Sequence, residues 1–155
     1  LIKEDAAEVL KERLMVLADV ITPNIPETEV LTGMTVDSAE SMEEAAIKTY
    51  EDLRTKGGHA AVLVKGGHAV HTANDCLCVD GRIVWLNGER IDNPNTHGTG
   101  CTLSSAIAAN LAQGFLIEES VKSAKKYLTG ALKSGLNLGN GSGPLDHTYW
   151  LDINK

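Results

Sequence analysis

Helical and strand patterns take turns along this chain, and the run at residues 60–64, AAVLV, is apolar at every position. A strand without polar alternation must be covered on both faces, the habit of parallel sheets flanked by helices. Residues 41–58, SMEEAAIKTYEDLRTKGG, lead into it, with Ser41 three residues ahead of Glu44 and with Gly57 and Gly58 at the end. A capping box in front and a glycine stop behind predict a helix there. An earlier pair has the same order: Ala6, Val9, Leu10, Leu14 and Leu17 recur at helical spacing, and residues 18–22, ADVIT, follow as a short β-branched run. The alternation predicts an α/β fold with a mostly parallel sheet. At 155 residues the chain is long enough for one core, so a single domain over 1–155 is expected.

Two further strands break the alternation. DCLCVD and RIVWLNGERI meet at Asp80 and Gly81, a strong hairpin signal that inserts antiparallel strands. Two helices are predicted after them, at about residues 101–113, ended by Gly114, and about 118–133, ended near Gly135. The stretch GNGSGPLDHTYW reads as loop.

The formal charge of −7, with no basic run, argues against a nucleic-acid surface. No apolar stretch reaches the ~18 residues of a membrane span, and the opening LIKEDAAEVLKERL is unlike a signal peptide, so a cytoplasmic protein is expected. Cys76, Cys78 and Cys101 are too few and too oddly numbered for a disulfide framework. They read as thiols, with Cys76 and Cys78 on one face of a strand as core rather than zinc ligands.

In open α/β sheets, ligands sit beyond the carboxyl ends of the strands. Three stretches lie there: TPNIPE (22–27), KGGH (65–68) and NTHGTGC (95–101). In the last, Gly98 and Gly100 let the backbone close around an anion at a helix start, where free N–H groups and the helix dipole attract it; the same residues also suit a plain turn with Thr99 as the cap. Cys101 falls in the first helical turn, where the dipole and free N–H groups favour a thiolate, though a small buried hydrophobe has the same spacing. Lys65 offers a charge to phosphates or to solvent. Asn24 and Glu27, three apart across Pro26, suit Mg²⁺ or its waters, and equally a helix cap.

ITPNIPETEVLTG, VLVKGGH and above all NTHGTGCTLSSAIAANLAQG resemble the hydroxymethylpyrimidine and phosphomethylpyrimidine kinases of thiamine biosynthesis, in the ribokinase-like superfamily. The likeness runs over nearly the whole chain in order. Its last motif, with Cys where most of the superfamily has Asp, is shared with close pyridoxal-kinase relatives. The resemblance implies a three-layer αβα fold and the use of ATP and Mg²⁺. It implies that Gly98, Thr99 and Gly100 form the anion hole for the transferring phosphoryl group and that Cys101 is the base for the acceptor alcohol. It also implies that Asn24 and Glu27 lie near Mg²⁺, that Lys65, Gly66 and Gly67 lie beside ATP, and that Val121 and Ala124 wall the adenine. His97 and His68 are read as structural.

The family's N-terminal half, with its remaining strands and pyrimidine pocket, has no counterpart in these residues. The chain is therefore expected to be the C-terminal, nucleotide-side part of such a kinase, inactive alone. An edge strand and apolar surface left open would favour association, such as a homodimer. The implied reaction is phosphorylation of the hydroxymethylpyrimidine and then of its monophosphate. The alternatives are a pyridoxal kinase and a non-catalytic nucleotide-binding fragment.

Overall fold

The local signals become elements in the predicted order in a computed structural model, which describes residues 8–67, 73–93, 97–136 and 143–151. Contacts divide the chain into two units, Leu1–Arg90 and Ile91–Lys155.

In the first unit the opening helix is irregular, a π turn over Leu10–Leu14 running into a 3-10 turn over Met15–Leu17. Helices draw most of their stability from packing an apolar face. Here Val9, Leu14 and Leu17 are exposed and only Met15 is buried, so little holds a regular register. Strand β1, Val20–Ile21, follows, and then helix α1, Ile25–Thr32, stopped by Gly33 in the left-handed region. Helix α2 spans Ala39–Thr55. It starts earlier than Ser41 and Glu44 suggest because Ser38 is extended and its Oγ accepts the Ser41 N–H at 3.1 Å, while Ser41 Oγ accepts the Ser38 N–H at 3.0 Å. Ser41 is thus the inner member of the capping box.

Strands β2, Ala61–Val64, β3, Asp75–Val79, and β4, Arg82–Leu86, complete a four-stranded sheet in the order β1-β2-β3-β4. Only β1 and β2 are parallel, in the register Val20↔Ala61 and Ile21↔Val62; the other two pairings are antiparallel. The sheet is therefore mixed rather than mostly parallel. The link from Val64 to Asp75 falls short of the roughly dozen residues that a parallel crossover requires. Met42, Ala45, Ala46 and Leu53 of α2 form one core with Val62, Val64, Cys76 and Cys78. Leu63 and Leu77, which alternate to the opposite face, are also fully buried, so β2 and β3 are covered on both faces as the apolar run predicts.

The second unit holds helix α3, Thr99–Ala112, and helix α4, Ile117–Lys133. They pack together across a turn at Gly114, whose φ is 89°, and Asn110 Nδ2 donates to Ser120 O at 3.1 Å. Residues 143–151 fold back on α4: the Tyr149 ring occupies the space beside Gly130, and Ser134 Oγ donates to Asp146 Oδ2 at 2.8 Å. Among the described residues no helix is long and apolar enough to cross a membrane.

The β3–β4 turn generates a test. Asp80 and Gly81 have φ of 51° and 71°, and Val79 pairs with Arg82, the two-residue turn whose twist matches its strands. Gly81→Val should lower stability by about 1–2 kcal/mol, and Asp80→Asn by less than about 0.5 kcal/mol. Urea denaturation of both variants checks this; equal midpoints for Gly81→Val and wild type would contradict the turn.

Candidate functional site

In the first unit, the carboxyl ends of β1 and β2 are stitched together. Lys65 continues the parallel pairing as a bridge to Asn24, and its N–H donates to Pro23 O at 2.8 Å. Its ammonium donates to Thr22 O at 2.6 Å, so the cation sits against the β1–α1 loop. Asn24 Oδ1 accepts the Glu27 N–H and Glu27 Oε2 accepts the Asn24 N–H, both at 2.8 Å. These two residues form a reciprocal capping box, and Thr28 Oγ1 adds a bond to Asn24 O at 2.8 Å. Among the described residues no three His, Cys, Asp or Glu side chains converge on one point. The Asn24–Glu27 pair, with its single carboxylate, fits a Mg²⁺ ion that keeps most of its waters and is held mainly through phosphates.

Gly66 is buried, and its N–H donates to Asp75 Oδ1 at 2.9 Å. Gly67 is exposed. Sequence reading missed Asp75; the available signal was a carboxylate opening a strand that is otherwise apolar. Beside β1 lies a largely apolar groove of about 730 Å³, lined in part by Leu10, Leu14, Ile21, Pro23 and Val30, with Asn24 and Glu27 on its wall.

In the second unit, α3 begins without a side-chain cap. Gly98 takes the cap position at φ 83°, so Thr99, the expected cap, is already inside the helix. The first intrahelical bond runs from Thr102 N–H to Gly98 O at 2.8 Å. That leaves the N–H groups of Thr99, Gly100 and Cys101 without intrahelical acceptors. Gly100 and Cys101 are exposed. His97 is exposed in the preceding turn; His68, Asn95 and Thr96 lie outside the described residues. Val121 and Ala124 of α4 are fully buried, so neither offers surface to a ligand as packed.

The three cysteines separate by environment. Cys101 is exposed, whereas Cys76 and Cys78 are buried. Burial, with smaller contributions from Glu43, Cys78 and Asp75, pushes the Cys76 thiol up to about 12. Burial and Glu51 raise Cys78 against the opposing charge of Arg54. Both remain protonated core thiols at neutral pH.

A family model described as phosphomethylpyrimidine kinase matches residues 1–146. The hydroxymethylpyrimidine/phosphomethylpyrimidine kinase of Haemophilus influenzae is 41% identical over 152 residues, which cover 95% of this chain and 55% of that protein. A thiamine biosynthesis bifunctional protein of Geobacter sulfurreducens is 45% identical over 148 residues, 95% of this chain and 29% of its own length. Among solved structures, the ADP complex of Bacillus subtilis pyridoxal kinase superposes with a TM-score of 0.83 at 37% identity, covering 97% of this chain and 55% of that one. Such likeness supports the ribokinase-like α/β fold expected from the sequence. The chain spans about half the length of the curated hydroxymethylpyrimidine/phosphomethylpyrimidine kinases it matches.

The thiols give a paired test. A disulfide-exchange reagent should titrate Cys101 alone in the native protein and all three cysteines in denaturant. Above pH ~9 the unfolded chain loses thiol protons that the folded chain keeps, so stability should fall as pH rises from about 9 toward about 12. Cys76→Val should remove part of that slope. Native labelling of all three thiols, or an identical slope in the variant, would contradict this environment.

Proposed function

The chain belongs to the phosphomethylpyrimidine kinase family, and on that premise we propose that it carries the phosphate-binding and acid–base residues of an ATP-dependent kinase of thiamine biosynthesis. Its acceptor is 4-amino-5-hydroxymethyl-2-methylpyrimidine, phosphorylated on the alcohol and then again to the diphosphate. The observation that supports this most is the start of α3, with its three N–H groups free of intrahelical acceptors, two glycines and an exposed thiol in sequence.

Phosphoryl transfer needs little covalent help from a protein; positioning and charge stabilisation supply most of the rate. The N–H groups of Thr99, Gly100 and Cys101 hold the oxygens on which charge develops, and Gly98 and Gly100 leave room for them. Cys101 takes the proton of the attacking alcohol. Phosphorylation of the monophosphate needs no base, since its nucleophile is already an anion. Lys65 exchanges its Thr22 carbonyl for a nucleotide phosphate, with Gly66 and Gly67 allowing the approach. Asn24 and Glu27 orient waters around Mg²⁺, which when bound neutralises phosphate charge. Val121 and Ala124, buried as they are, back the adenine wall rather than face it.

The likeness to Bacillus subtilis pyridoxal kinase favours a second reading, with pyridoxal as acceptor. Turnover of the two acceptors by the polypeptide as the gene encodes it decides between them.

Calorimetry with ATP and Mg²⁺ tests the site on the chain itself. Binding should weaken with added salt, and Gly100→Val should weaken it about ten-fold or more by placing a branched Cβ in the cradle. Equal affinity in wild type and variant would remove the anion hole from the account. In the gene-encoded polypeptide, Cys101→Ala should slow phosphorylation of the alcohol by ~10²- to 10⁴-fold and spare that of the monophosphate, with Cys101→Asp recovering part of the first step. An equal loss in both half-reactions would make the thiol a packing or positioning group instead of the base.

A further inference from the structure

Asp75 opens β3 at 6% exposure, and its Oδ1 accepts the Gly66 N–H. Taking a carboxylate out of water is unfavourable unless charge-assisted hydrogen bonds hold it. Its presence in a strand buried along its whole length therefore calls for a role. The contact is tightly specified: a Cβ on Gly66 would lie 1.9 Å from Asn74 O, so only glycine brings this N–H to the carboxylate. Asn74 is itself fixed, because its Oδ1 accepts the Gly88 N–H at 2.9 Å. From the other side Lys65 is bound to Pro23 O and Thr22 O. The Lys65–Gly66 turn is thus clamped between the β1–α1 loop and the start of β3.

We propose that Asp75 is a positioning residue for nucleotide binding, holding the Lys65–Gly66 backbone in its ligand-ready course through the Gly66 N–H without touching the ligand, while the Lys65 ammonium is left to exchange its carbonyl partner for a phosphate. The proposal rests on the reading of residues 65–67 as a nucleotide-binding turn. A turn ordered in advance loses less freedom when a phosphate arrives, so the effect belongs to nucleotide affinity. Because the bond needs only an oxygen acceptor, an amide replaces the carboxylate at that atom and a methyl group does not.

The experiment titrates ADP into the chain and into its Asp75→Ala and Asp75→Asn variants by calorimetry, with thermal unfolding recorded for each. Asp75→Ala should weaken ADP about ten-fold, the scale of one charge-assisted hydrogen bond, and Asp75→Asn should restore most of the affinity. Wild-type affinity in a folded Asp75→Ala overturns the proposal, as does an Asp75→Asn variant no better than Asp75→Ala, since charge rather than the Gly66 bond would then matter. If the wild-type chain does not bind ADP, the nucleotide reading itself fails, and this proposal with it. Should Asp75→Ala not fold, hydrogen exchange of the wild-type Gly66 amide decides: protection before ADP is added supports the proposal, and exchange at the unprotected rate overturns it.

Discussion

Backbone N–H groups cannot be left unpaired without loss, and the different ways this chain meets that constraint organise everything else in it. At α1, Asn24 and Glu27 answer each other's N–H groups; at α2, Ser38 and Ser41 do the same. At α4, the Glu119 carboxylate accepts from Leu116 N–H at 3.3 Å. The Gly66 N–H goes to a buried carboxylate. Among the described α-helices α1 to α4, α3 alone starts with neither kind of side-chain help, and Gly98 stands where a capping side chain would otherwise be. Its first-turn N–H groups have no intrahelical acceptor, an arrangement that suits water or an anion.

The same economy explains how a chain of net charge −7 can serve phosphates. A whole-molecule field of that sign repels them, so attraction must come from short-range, oriented donors. In the proposed function the turn at Lys65 and the start of α3 supply such donors. Each depends on a glycine that backbone geometry demands: Gly66 because the Asn74 carbonyl fills its side-chain position, and Gly98 because its φ is 83°. The Gly66 N–H is held by Asp75 before any ligand is present, and order of that kind is the condition under which electrostatic stabilisation is most effective.

Features set by local chemistry were legible in the sequence. Asp80 and Gly81 announce a turn with two positive φ values, and AVLV, apolar throughout, is buried throughout. Where a choice depends on tertiary partners, sequence reading falls short. The start of α2 is displaced because two serines compete as cap, and the first helix loses its regular form where Leu14 and Leu17 find no cover. The sheet is mixed because a short link and a tight hairpin outvote the helix–strand alternation. The local signature of Asp75, a carboxylate at the head of an apolar strand, does not name its partner, which is nine residues away in sequence. For the candidate site, spacing alone left each motif with two readings. At Asn24 and Glu27 the structure shows the cap, and the metal role proposed for them, like the roles assigned to Gly98, Thr99, Gly100 and Cys101, rests on family membership, joined in α3 to an uncapped helix start.

The central claim is that the first turn of α3 receives phosphate oxygens, and amide resonances report it most directly. In a ¹⁵N-labelled chain titrated with ATP and Mg²⁺, the account predicts saturable shifts at Thr99, Gly100 and Cys101, with Ile117, Glu118 and Glu119 at the start of α4 unmoved. Saturable binding that leaves the three α3 amides in place would contradict it.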